Sequence, residues 1–144
     1  ILLVTELSMR CPAIAYVPAV LTEGQQLGAR GERVAERWAM VRGWTIVNRR
    51  FRSGHRDIDL VVQRGNTVAF VEVKTRRDDE YGDPVTAVDH RKQRELTRSA
   101  LVWISRYGRA DVEYRFDVIG ILIDQQARVA RVKHIENAFW SARA

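Results

Sequence analysis

The sequence predicts an α/β fold, with a mixed central β-sheet of about five strands flanked by helices. Three observations predict it. Residues 25–42 and the stretch after Pro84 up to Tyr107 carry apolar residues at helical spacing. Short runs rich in Val, Ile and Phe fill the rest, bounded by Gly, Asn and Asp. The resulting order is helix, three strands, helix, two strands, which places helices against a sheet.

In the first helix, Leu27, Val34, Ala35, Trp38, Ala39 and Val41 form the apolar face, and Gly43 is placed to end it. Gly28 and Gly31 weaken its start, a reason to expect close backbone approach there. Residues 44–48 read as the first strand. Residues 57–62 and 67–74 read as a hairpin across the polar link Gln63-Arg64-Gly65-Asn66. Residues 76–83 form a charged loop, with Asp83 as N-cap and Pro84 at the first helical position. Leu96, Ala100, Trp103, Ile104 and Tyr107 give the second helix its core stripe, and Gly108 closes it. Residues 114–123 and 128–135 read as strands four and five, turning at Asp124-Gln125-Gln126. Residues 135–140 form a short apolar end. Residues 1–24, with Pro12 and Pro18 and no signal-peptide pattern, are expected to be a poorly ordered leader to a single domain over residues 25–144.

Composition narrows the function. The 144 residues include 24 Lys+Arg against 18 Asp+Glu, a net charge of +6, and only Lys74, Lys92 and Lys133 are lysines. One reading of this balance is a high-GC genome that favours Arg codons, the functional reading is a polyanionic partner, and both can hold. Cys11 is alone, so there is no disulfide framework, thiolate zinc site or Cys-His catalysis. His55, His90 and His134 lack metal-ligand spacing. No run reaches the roughly 18 apolar residues of a membrane span. A cytoplasmic protein without a membrane partner is expected.

The charged residues inside the hairpin carry the chemistry. Alternation puts Asp57 and Asp59 on one face and Glu72 and Lys74 on one face, and pairing the strands brings Asp59 beside Glu72. Charges in otherwise buried runs are costly unless paired or bound to an ion. Two carboxylates suit a Mg²⁺ ion that neutralises a phosphate and activates water, with the Val73 carbonyl between Glu72 and Lys74 as a further donor. Lys74 would stabilise developing charge or orient the water. Glu32 is either a third carboxylate or a solvated helix residue. Asp57 reads better as a salt-bridge partner or the residue opening the strand, and Asp117 as a member of a buried ion pair. Arg49, Arg50, Arg52 and Arg56 precede the second strand, Arg76 and Arg77 follow the third, and Arg91, Lys92, Arg94 and Arg98 line the second helix. Three basic clusters around one carboxylate site read as a phosphate-tracking rim.

Residues 27–140 resemble the YraN-like family, related to Holliday-junction resolvases in the PD-(D/E)XK nuclease superfamily. The resemblance lies in Leu27-Gly28-Ala29-Arg30-Gly31-Glu32, Asn48-Arg49-Arg50, Asp57-Ile58-Asp59-Leu60, Phe70-Val71-Glu72-Val73-Lys74-Thr75-Arg76, Val88 through Lys92, and Phe116-Asp117-Val118. It implies a restriction-endonuclease-like core and a nuclease site dependent on Mg²⁺ or Mn²⁺. Asp59 matches the metal-binding Asp, Glu72 the second carboxylate, Lys74 the catalytic lysine and Glu32 the helix-borne acid. Lys92 matches a basic position facing substrate. The family usually writes Gly-Glu-Ile-Asp where this chain has Arg56-Asp57-Ile58-Asp59, and Ile58 stands where the superfamily has proline.

The expected protein is an endonuclease acting on nucleic acid, DNA before RNA, with a preference for branched or flapped structures. Its nucleic-acid-binding residues would be Arg49, Arg50, Arg52, Arg76, Arg77, Arg91 and Lys92. Resolvase-like proteins generally act as dimers, so a homodimer through the apolar patch near Phe139 and Trp140 is the corresponding assembly. The rival readings are a nucleic-acid-binding module on the same fold that does not cleave, and an interaction protein whose acids merely pair with arginines.

Overall fold

The computed structural model describes residues 3–5, 21–54, 56–77, 84–124 and 129–140. One sheet contains β1 (Leu3–Thr5), β2 (Thr45–Ser53), β3 (Arg56–Arg64), β4 (Thr67–Arg77), β5 (Glu113–Asp124) and β6 (Val129–Phe139). Its order is β1-β6-β5-β4-β3-β2, antiparallel throughout except for the parallel pair β4 and β5. Helices α1 (Glu23–Val41) and α2 (His90–Tyr107) flank it. This is the α/β class expected, and it is consistent with a restriction-endonuclease-like core. The sixth strand, β1, was not expected, and it lies within the leader; residues 1, 2 and 6–20 of that leader lie outside the described residues.

Local chemistry explains the helix boundaries. Thr22 caps α1 reciprocally: its hydroxyl accepts from the Gln25 N–H at 3.2 Å, and the Gln25 carboxamide oxygen accepts from the Thr22 N–H at 2.9 Å. At the other end Gly43 takes φ +82°, the left-handed conformation that stops a helix cheaply. The second helix is interrupted. Pro84–Ala87 forms a short 3-10 turn, and Asp89 then caps α2 by accepting from the Lys92 N–H at 2.8 Å. Asp83, the expected cap, lies outside the described residues, as do residues 78–82 of the loop and 125–128 of the last turn.

Several strands outrun their expected lengths, and β4 runs on to Arg77, taking Arg76 and Arg77 out of the expected loop. β2 continues to Ser53, through the basic run that read as a connection. β6 absorbs residues 135–139, which had read as a separate apolar end. The physical reason is on the neighbouring strand, where Phe139 pairs with Phe116 and stacks on it at 4.7 Å between ring centroids. Phe139 is therefore core, while Trp140 beside it is 41% exposed.

Strand alternation divides the core between the two helices. Ala69, Val71 and Val73 of β4 pack with Ala35, Trp38 and Ala39 of α1. Val68 and Phe70 pack with Leu96, Ala100 and Trp103 of α2. The same phase carries Glu72 and Lys74 toward the α2 face, while Thr75 faces α1. An added Cβ at Gly31 would lie 1.7 Å from the Thr75 hydroxyl oxygen, so glycine is what lets α1 seat on β4. Gly28 meets nothing within 4 Å, so the close approach expected there is not made.

Candidate active site

The ladder between β3 and β4 runs from Arg64–Thr67 to Leu60–Val71 and stops there, while β4 stays paired with β5 as far as Arg77. At that end Asp59 takes over from the backbone: its Oδ2 accepts the Val73 N–H at 2.7 Å. The next register step would set Asp59 opposite Glu72. Sequence alternation had predicted that juxtaposition, and the side-chain hydrogen bond explains how the strands part without orphaning an amide.

Glu72 is 5% exposed. Its Oε1 receives two ammonium groups, Lys74 from the same strand at 2.9 Å and Lys92 from α2 in a shorter contact. Burial, reinforced by the Glu72 charge and by Glu32, pushes the Asp59 carboxyl up to about 7, against the pull of the Val73 N–H and Lys92. The two lysines diverge. Burial wins at Lys92 and lowers its pKa despite Glu72. Burial also opposes the charge on Lys74, yet Glu72 and the contact with Lys92 together raise it.

Glu32 belongs to α1, on the other side of the sheet from α2. Both its oxygens are held by Arg50 of β2, at 3.0 and 3.1 Å. Arg50 has φ +45°, a left-handed conformation costing a non-glycine residue about 1–2 kcal/mol. Among the described residues, no three His, Cys, Asp or Glu side chains gather closely enough to hold a metal ion. Asp59 and Glu72 thus come together, and Glu32 stands apart from them in its arginine pair.

The arginines expected to form the rim are largely engaged with acids. Arg49 bonds Glu36 at 2.9 Å, Arg52 bonds Asp57 at 3.2 Å, Arg77 bonds Glu23 at 3.3 Å, and Arg91 bonds Glu95 at 3.2 Å. Arg56 shares Glu95 at 2.6 Å. Arg76 is half-buried on β4. These exposed pairs are each worth about 1 kcal/mol or less, so an external phosphate could compete for the guanidinium groups. Lys92, read from sequence as a basic position facing substrate, reaches Glu72 from α2. Asp89, three residues earlier, caps α2 and so puts Lys92 in its first turn, where the sequence reading had placed the cap at Asp83.

Asp117 meets the expectation of a buried ion pair. His134 Nε2 lies 2.7 Å from its Oδ2, Arg115 Nη2 donates to Oδ2 at 3.1 Å, and the Asn137 N–H donates to Oδ1 at 3.0 Å. It sits at a register shift between β5 and β6, where Asn137 takes φ +48°. A cavity of about 350 Å³ lies at the opposite end of the sheet from the carboxylates, among Val47, Asn48, Trp103, Tyr107 and Tyr114. Among the described residues, no helix is long and apolar enough to cross a membrane.

The class defined so far is an α/β domain whose central strands part around two carboxylates and two lysines. Residues 31–121 match the family described as "Uncharacterised protein family UPF0102". The chain is 44% identical over 113 residues to a UPF0102 protein of Geobacter sulfurreducens, covering 78% of this chain and 88% of the relative. It is 41% identical over 120 residues to one of Desulfosudis oleivorans, covering 83% and 94%, and 41% identical over 113 residues to one of Chloroherpeton thalassium, covering 78% and 88%. The chain belongs to the UPF0102 family.

Proposed function

We propose that this protein is a metal-dependent endonuclease that hydrolyses phosphodiester bonds in nucleic acid, DNA before RNA, with branched or flapped structures as its preferred substrates. One observation carries the reading: at the parting of β3 and β4, Asp59 is bonded to Val73 N–H, and Lys74 is bonded to Glu72. The donor set suits a hard divalent cation such as Mg²⁺ or Mn²⁺, which prefers carboxylate and carbonyl oxygens. Burial, and after it the charge of Glu72, disfavours the Asp59 carboxylate, and a cation there would favour it. Asp59, Glu72 and the Val73 carbonyl would hold the ion, joined by Glu32. When bound, it would supply charge neutralisation on the phosphate and a more acidic water.

The remaining work falls to the chain itself. Lys74 orients the attacking water or stabilises charge on the phosphate, with Glu72 keeping it protonated. Lys92 balances Glu72 from α2, limiting the cost of a carboxylate held at 5% exposure. Arg49, Arg50, Arg52, Arg76, Arg77 and Arg91 exchange their internal partners for backbone phosphates.

The test is cleavage of labelled duplex, single-stranded, flap and four-way-junction DNA, and of RNA, with Mg²⁺, Mn²⁺ or EDTA, with Glu72→Ala purified in parallel. Cleavage that needs metal and disappears in the variant is expected. The engagement of Glu32 and Glu72 by cations of the chain favours a second reading, a nucleic-acid-binding module that does not cut. It predicts metal-indifferent binding by both proteins and no product from either.

A further inference from the structure

Successive residues in a strand face opposite sides of the sheet, yet Arg49 and Arg50 both reach α1. Arg49 bonds Glu36, and Arg50 bonds Glu32, one helical turn earlier. The left-handed backbone at Arg50 is what permits this, because it turns aside a side chain that regular alternation would send the other way. The strain therefore has an identifiable product, a guanidinium held against both oxygens of Glu32.

We propose that Arg50 is a positioning residue, which keeps Glu32 off the Asp59–Glu72 pair and releases it when a nucleic-acid phosphate takes the guanidinium. The inference rests on the metal-dependent reading above. Three observations support it. Both oxygens of Glu32 are engaged by the Arg50 fork, which offsets the charge a cation would need. Its neighbour Gly31 seats against Thr75 of β4, three residues beyond Glu72, so Glu32 lies at the same end of β4 as the other two acids. The Arg50 side chain is 57% exposed, open to a polyanion from solvent. An arginine fork matches phosphate as well as carboxylate, so the exchange replaces one bidentate pair with another. Glu32 is then free for the cation. Phosphate and divalent cation should consequently favour each other's binding, and by reciprocity each should do so equally.

The experiment is calorimetric titration of Mn²⁺ into the full chain, alone and with a cleavage-resistant phosphorothioate duplex, after subtracting the duplex's own Mn²⁺ binding. Arg50→Asn removes the guanidinium while asparagine still tolerates the left-handed backbone. The variant should bind Mn²⁺ about two- to fivefold more tightly than wild type without duplex, the return from releasing an exposed ion pair. The duplex should tighten Mn²⁺ binding to wild type and leave the variant nearly unchanged. Adding Glu32→Gln to both wild type and Arg50→Asn should erase the difference between them. Arg50→Lys, which keeps the charge but loses the fork, provides a second folded comparison and should lie between wild type and Arg50→Asn. Equal or weaker Mn²⁺ binding by Arg50→Asn would overturn the positioning role while leaving the metal site standing. No Mn²⁺ binding by wild type, with or without duplex, would overturn the metal-site reading and this inference with it.

Discussion

Lys74 and Lys92 meet at the same oxygen of Glu72, one from within the sheet and one from the helix that covers it. The arrangement makes the fold's tolerance for change at these three positions unequal. Glu72→Ala strands two half-buried ammonium groups, whereas losing either lysine leaves Glu72 one partner. Glu72→Ala should destabilise the protein by about 3 kcal/mol, and Lys92→Met by clearly less. Urea unfolding of the two variants measures this, and equal midpoints would remove the shared-oxygen account.

Asp59 should make stability fall as pH rises. Its folded pKa of about 7 lies above the ordinary value of 3.8, so between those values the unfolded chain has released a proton that the folded chain keeps. Stability is then lost progressively across that window and levels off above it. Asp59→Asn removes the penalty while retaining an acceptor for Val73 N–H. The variant should match wild type near pH 4 and exceed it at pH 8 by on the order of 2–4 kcal/mol in metal-free buffer. A stability difference that does not change with pH would contradict the assignment.

Two glycines on neighbouring positions of α1, Gly28 and Gly31, should not behave alike. Gly31→Ala drives a methyl into Thr75 and should cost about 2 kcal/mol or more, partly recovered by Thr75→Gly. Gly28→Ala enters open space and should stabilise by about 0.5–1 kcal/mol through helix propensity. Paired thermal melts are sufficient to check the contrast.

Asp117 separates folding from chemistry. Asp117→Ala leaves Arg115 without its buried partner and the Asn137 N–H without an acceptor, a loss of about 3–5 kcal/mol. At temperatures where the variant remains folded, its Mn²⁺ affinity should equal wild type. A matching loss of metal affinity would tie Asp117 to the site after all.

How much could be read from the chain depended on whether the deciding interaction was local. Alternation and the Gly65-Asn66 link announced the hairpin, and with it the Asp59–Glu72 neighbourhood. Gly43 marked the end of α1 through its own backbone preference. Arg49 and Arg50 could be read as cations, but their partners lie on a helix 13 and 18 residues earlier, and no period encodes that pairing. The extent of β6 depended on Phe116 across the sheet. β1 was beyond reach for the same reason: a three-residue strand has no pattern of its own, and its partners sit at the far end of the chain.

The backbone turn at Arg50 also bears on how this molecule behaves in a crowded solution. β2 is an outer strand of the sheet, nine residues long, and a flat strand of that length would offer its free amides to any neighbouring chain. It carries Arg49, Arg50 and Arg52, a register shift between Ile46 and Asn48, and a left-handed residue near its middle. A second copy laid alongside would find neither continuous hydrogen-bonding geometry nor a neutral surface. Replacing Arg50 with a β-branched residue would straighten that border, turning a self-limiting edge into one that invites polymerisation.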